Sequence, residues 1–130
     1  MLAKLKMLLL SGSSTVARDV VHKKQGDKHL NLGEFDQAAT CYRHAVSINP
    51  AFVEAHIGLG FALIEQKQYT DAEIALNCAL SIDPTIADIH YMLGVLAKAN
   101  SDLSGSSRHW TKAIEIKPNF EFAYRELLNL

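Results

Sequence analysis

The sequence predicts an all-α protein of antiparallel helix-turn-helix repeats, and two observations predict it. The three prolines are evenly spaced: Pro50, Pro84 and Pro118 stand 84 − 50 = 34 and 118 − 84 = 34 residues apart. A fixed period between about 20 and 50 residues marks a repeat architecture. Between one proline and the next, apolar residues recur at helical spacing in two stretches of about 14 residues, separated by a polar break.

Frames 17–50, 51–84 and 85–118 bring further columns into register: Ala45, Ala79 and Ala113; Gly26, Gly60 and Gly94; His22, His56 and His90; Ile48, Ile82 and Ile116. Together with the prolines these share one period, which chance does not produce. One helix pair cannot bury its own apolar face, and three pairs are about the minimum for a stable stack.

In chain order, residues 1–16 come first, an apolar leader (Leu2, Leu5, Met7, Leu8, Leu9 and Leu10) joined by a Ser-Gly-Ser-Ser-Thr linker. Lys4 and Lys6 give it a faint look of a secretory signal. The apolar run is shorter than the roughly 7–15 residues of an h-region, and Ser-Gly-Ser-Ser is a poor cleavage site. Nor does it reach the roughly 20 residues of a membrane span. The polar breaks inside the three repeats are Asn31-Leu32-Gly33-Glu34, Gln66-Lys67-Gln68 and Asn100-Ser101-Asp102. Each proline is expected to open the next helix, with Asn49 or Asp83 capping it. The sixth helix starts on Ser104, Gly105, Ser106 and Ser107, poor helix formers, so its first turn is expected to fray. A seventh helix, over 119–130, carries Phe120, Phe122, Tyr124, Leu127, Leu128 and Leu130. Its pattern runs on without a capping residue, as if more chain followed or another copy packed there.

Composition excludes several functions. Thirteen basic residues face fourteen acidic ones, net −1, alternating in sign along the chain, so a duplex-binding basic patch is not expected. A hydrophobic content of 48% rules out general disorder. Cys41 and Cys78 form no CxxC pair and lie within apolar helical patterns, which suggests reduced, buried thiols and a cytoplasmic protein.

Catalytic and metal motifs fare no better. The chain has no GxSxG, no HExxH, no Cys-His constellation and no paired carboxylates on an apolar background, so no enzyme activity and no cofactor are expected. The column His22, His56 and His90 is read as structural, because helices about 8–10 Å apart cannot bring three equivalent rings to one zinc with bonds of about 2.1 Å. Leu10-Ser11-Gly12-Ser13-Ser14 recurs as Leu103-Ser104-Gly105-Ser106-Ser107, but no Lys-Ser/Thr follows as a phosphate loop requires. Gly58-x-Gly60 reads as close helix packing.

The registered columns resemble the tetratricopeptide repeat, W-x2-L-G-x2-Y…A-x3-F…P, which has the same period. The second frame carries His56-x2-Leu59-Gly60-x2-Leu63, Ala72-x3-Leu76 and Pro84; the third His90-x2-Leu93-Gly94-x2-Ala97, Ser106-x3-Trp110 and Pro118; the first, more divergent, Ala38-x3-Tyr42 and Pro50. The resemblance implies a right-handed superhelix whose concave face, formed by the first helix of each repeat, binds ligands. On that face it places Lys23 and Asp27 in the first repeat, Ile57, Phe61 and Ile64 in the second, Tyr91, Met92, Val95 and Lys98 in the third, and Phe122 and Arg125 on the last helix. Ile57, Phe61, Ile64, Tyr91, Met92, Val95 and Phe122 form an apolar stripe flanked by charges, the usual mark of a binding surface.

One subclass of the family grips the C-terminal carboxylate of chaperones through Lys and Asn in the first repeat, Asn in the second, and Lys and Arg in the third. Lys23 alone matches; Asp27, Gly58, Asp88 and Met92 occupy the other positions, and Asp27 and Asp88 repel a carboxylate. The expected function is therefore a non-catalytic scaffold that binds a protein or peptide, as an amphipathic helix or an extended apolar segment. The alternative is the N-terminal recruiting or oligomerisation domain of a longer enzyme such as a glycosyltransferase, in whose families such arrays commonly occur. Self-association through residues 1–10 or the terminal helix is a further expectation, since the leader has the composition to enter its own groove or a neighbour's.

Overall fold

A computed structural model of the chain describes residues 18–130, and the leader and its expected roles lie outside them. Among the described residues there are seven helices and no strand: α1 (residues 18–31), α2 (Phe35–Ile48), α3 (Val53–Glu65), α4 (Tyr69–Ile82), α5 (Ala87–Ala99), α6 (Leu103–Ile116) and α7 (Glu121–Leu128). Consecutive helices pack on one another from α2 onward, and α3 also touches α5. The result is a stack of helix pairs with the odd-numbered helices along one side.

Apolar patterning decides which helices lie inside. The third and fifth helices bury residues around much of their circumference, Ala55, Leu59, Ala62 and Leu63 on one and Ile89, Met92, Leu93 and Leu96 on the other. By contrast α2 and α4 bury a single stripe, Ala38, Ala39, Tyr42 and Ala45 or Ala72, Ala75, Leu76 and Ala79. An amphipathic helix with one apolar stripe belongs on the outside of such a stack.

Within each pair the repeat period sets a knob into a hole. Tyr42, Leu76 and Trp110 are 34 residues apart and fully buried. They press on Gly26, Gly60 and Gly94, where an added Cβ would overlap the Tyr42 ring, the Leu76 side chain or the Trp110 indole. Ser106 lies beside the third of these contacts, fully buried, with its hydroxyl donating to the Gly94 carbonyl at 3.0 Å. The Trp110 Nε1 donates to the Tyr91 carbonyl at 3.1 Å.

The turns inside the pairs follow the same period. Gly33, Lys67 and Ser101, 34 residues apart, all have positive φ, at 75°, 60° and 62°. That left-handed residue lets the chain reverse within about three residues, at the polar breaks read from the sequence.

Four expectations need correction. The prolines do not open helices: α2 ends at Ile48 and α3 begins only at Val53, so Pro50 lies in the turn between repeats. Asn49, Asp83 and Lys117 before the prolines are extended, with ψ of 91°, 99° and 91°. Proline forces its predecessor out of the helical region and so ends the preceding helix. Asn49 and Asp83 accordingly do not cap the helix that follows but close α2 and α4 with their backbone N–H groups, and their carboxamide and carboxylate oxygens accept from Ala51 and Thr85 N–H inside the turn. The start of α6 is tied down rather than frayed, because Asp102 accepts from Gly105 N–H at 2.9 Å and Ser106 is buried against α5. The thiols are not both buried: Cys78 is exposed and Cys41 half-buried, since Cys78 falls off the apolar stripe of α4. Finally, α7 is shorter than 119–130; Phe120 is buried ahead of it and Asn129 closes it with backbone bonds.

Candidate functional site

The odd-numbered helices line one open groove of about 750 Å³. Helical spacing explains the set of residues. Lys23, Asp27 and Leu30 on α1, Glu54, Ile57, Gly58 and Phe61 on α3, and Asp88, Tyr91 and Met92 on α5 each recur at three or four residues, so each set shares a face. The turn ahead of α7 and the first residues of α7 close the end, contributing Lys117, Phe120, Glu121 and Phe122.

The apolar wall is aromatic at its α5–α7 end. The Tyr91 ring centroid lies 5.3 Å from that of Phe120 and 6.3 Å from that of Phe122, and Phe120 meets Phe122 edge-on at 6.4 Å. Aromatic pairs at 4.5–7 Å hold one another in fixed orientations. Phe61 is 40% and Phe122 58% exposed, so large apolar surface faces solvent in the groove. Burial, with the Glu126 charge second, raises the Tyr91 phenol above its usual range.

At the α1 end the floor is polar. Tyr42 reaches in from α2 between Gly26 and Gly58, and its hydroxyl donates to Asp27 Oδ1 at 2.7 Å. Asp27 Oδ2 also holds Lys23 Nζ at 2.8 Å. Burial first, then the Asp27 hydrogen bond and charge, pushes the Tyr42 phenol far above its ordinary range.

Lys23, Asp27, Ile57, Phe61, Tyr91, Met92 and Phe122 line this groove; Ile64, Val95, Lys98 and Arg125 do not. Ile64 and Val95 are half-buried and pack into the two core clusters. Lys98 bridges to Glu126 at 3.0 Å with its ammonium 5.8 Å from the Trp110 ring. Arg125 pairs with Glu121 at 3.0 Å. Sequence reasoning missed Tyr42 and Phe120. The signal for Tyr42 was the pair Gly26 and Gly58, two helix glycines that only a large side chain from a neighbour explains.

Two of the three column histidines have a structural use. His56 Nε2 donates to the Pro50 carbonyl at 2.8 Å and His90 Nε2 to the Pro84 carbonyl at 3.1 Å, so each ring ties the turn ahead of its helix. Among the described residues no group of three His, Cys, Asp or Glu side chains is placed to hold a metal ion.

A family profile described as TPR repeat matches residues 26–67, and a second, described as tetratricopeptide repeat, matches residues 53–86. The chain belongs to the tetratricopeptide repeat family. Among solved structures it is similar to the first TPR of Spaghetti (RPAP3) bound to HSP90 peptide SRMEEVD, with a TM-score of 0.83 at 22% identity, covering 87% of this chain and 90% of that one. Among curated proteins it is 25% identical over 108 residues to RNA polymerase II-associated protein 3 of Xenopus tropicalis, 83% of this chain and 16% of that protein. It is 29% identical over 97 residues to the human protein O-mannosyl-transferase TMTC3, 72% of this chain and 10% of that protein. The chain thus spans a small part of these curated relatives. As a tetratricopeptide repeat protein it is an all-α helical repeat solenoid. No helix among the described residues is long and apolar enough to cross a membrane.

Proposed function

We propose that this tetratricopeptide repeat chain is a non-catalytic scaffold that holds a peptide or amphipathic helix against Ile57, Phe61, Tyr91, Met92 and Phe122. One observation carries the reading: an open groove of about 750 Å³ with solvent-facing aromatic side chains and charged residues at its edge. A contiguous apolar surface with a polar rim is the form that docking sites take. The peptide bound by the structurally similar Spaghetti domain supports a peptide as the ligand class. The Phe61→Ser/Tyr91→Ser double variant tests this. It is expected to lose partner binding while circular dichroism shows unchanged helicity; binding equal to that of the unaltered chain sinks the proposal.

A second reading places the repeats as the recruiting domain of a longer enzyme. The similarity to the mannosyl-transferase TMTC3, of which this stretch covers 10%, favours it. The length of the natural open reading frame decides between the two.

A further inference from the structure

The charge lining the groove is more specific than its apolar wall, and what it implies rests on the groove reading above. Four carboxylates, Asp27, Glu54, Asp88 and Glu121, line it against two lysines, Lys23 and Lys117. Lys23 is engaged by Asp27, and Glu121 is engaged by Arg125. Glu54 and Asp88 are exposed and have no cationic partner within 4.0 Å among the described residues. They stand one repeat apart, in the first turns of α3 and α5, so both serve the helix dipoles while facing the same cleft.

A concave, low-dielectric wall concentrates the field of such charges. We propose that the groove takes a partner segment that carries Lys or Arg among apolar side chains, and disfavours acid-rich segments. The spacing follows from the helices. Packed helices lie about 8–10 Å apart, so Glu54 and Asp88 match two cations about 10 Å apart. A peptide in the polyproline II conformation, rising about 3.1 Å per residue with three residues per turn, spans about that distance between residues i and i+3 and keeps both side chains on one face. The apolar side chains between them face Phe61, Tyr91 and Phe122. An acid-tipped tail meets the opposite: its carboxylates approach Asp27, Glu54 and Asp88, and of the two groove lysines Lys23 is already engaged by Asp27, which leaves Lys117 alone to receive them.

The test uses three fluorescent peptides on the full chain at low salt: LFKLAKLF, its acidic counterpart LFELAELF, and SRMEEVD. Anisotropy titration is expected to show LFKLAKLF binding about tenfold or more tighter than either acidic peptide, the margin shrinking as salt rises. The Glu54→Gln/Asp88→Asn variant, checked by its thermal melt, is expected to bring the two octapeptides within about threefold of one another. Equal binding of both octapeptides by the unaltered chain, lost in Phe61→Ser, overturns the charge inference and leaves the groove reading standing. Tighter binding of SRMEEVD overturns it as well. Binding of neither octapeptide by the unaltered chain or by its Lys4→Glu/Lys6→Glu variant, or binding indifferent to Phe61→Ser, overturns the groove reading itself. Binding of LFKLAKLF that appears only in a Lys4→Glu/Lys6→Glu variant overturns the partner assignment, because the occupant is then the chain's own residues 1–10.

Discussion

The Tyr42 hydroxyl on α2 donates to Asp27 on α1 at 2.7 Å, joining a core side chain to the groove floor. The ring is fully buried and held on both sides by helix glycines, so the hydroxyl has nowhere else to point. Asp27 is thereby fixed in the groove with Lys23 on its other oxygen. A ligand arriving at the α1 end finds a polar floor that is already satisfied.

Tyr42→Phe keeps the ring and removes the donor. Hydrogen bonds to charged groups contribute more than neutral ones, but Asp27 is partly open to water, so a loss of about 1 kcal/mol is expected. Urea unfolding checks it: the midpoint should fall while the slope stays the same.

Lys67 and Ser101 occupy the left-handed position that Gly33 fills in the first repeat. A side chain there costs about 1–2 kcal/mol, of which glycine's greater freedom in the unfolded chain returns part. Lys67→Gly is therefore expected to stabilise the fold by about 0.5 kcal/mol. Gly33→Ala is expected to destabilise by about 1 kcal/mol, and because nothing lies within 4 Å of an added Cβ there, that loss is backbone strain alone. Thermal melts of the two variants should move in opposite directions.

Asp102 is the residue whose side chain caps the serine- and glycine-rich start of α6. Replacing such a cap by alanine costs about 1 kcal/mol. Asp102→Ala should lower stability by that amount and, in amide hydrogen exchange, speed the first turn of α6 more than the rest. Uniform acceleration would mean that Ser106 alone holds the turn.

His109 packs by His90 with ring centroids 6.4 Å apart, and its pKa lies below the usual 6.5. Burial is the main cause, followed by the Arg108 and His90 charges, against the weaker pull of Asp102 and Glu73. A base with a lowered folded pKa binds fewer protons folded than unfolded. Its contribution is complete above pH 6.5 and is lost as pH falls through the lowered value. Stability should decline as pH falls from 6.5 toward the lowered value, and His109→Gln should flatten this part of the profile, read as urea midpoint against pH.

The helices were legible because apolar spacing and polar breaks are local signals that packing only reinforced. The prolines were not, since proline suits both the start of a helix and the turn that ends one. The restriction on Asn49 and Asp83 decided for the turn. In the groove, Ile57, Phe61, Tyr91 and Met92 were named from the positions that the tetratricopeptide resemblance assigns to the inner face of each first helix. Val95 and Lys98 continue that face along α5, but there Val95 packs into the core around Trp110 and Glu126 reaches over to Lys98, which spacing on one helix does not reveal. Tyr42 belongs to the other helix of its repeat and enters the groove only because two glycines leave room.

Trp110 is the only tryptophan in the chain, and its indole nitrogen is bonded to the backbone of Tyr91, whose ring forms the groove wall. The molecule therefore contains its own optical probe. Excited selectively, this indole reports from a fully buried site behind the aromatic surface. A ligand that shifts Tyr91 changes the emission maximum or lifetime without any dye attached to either partner.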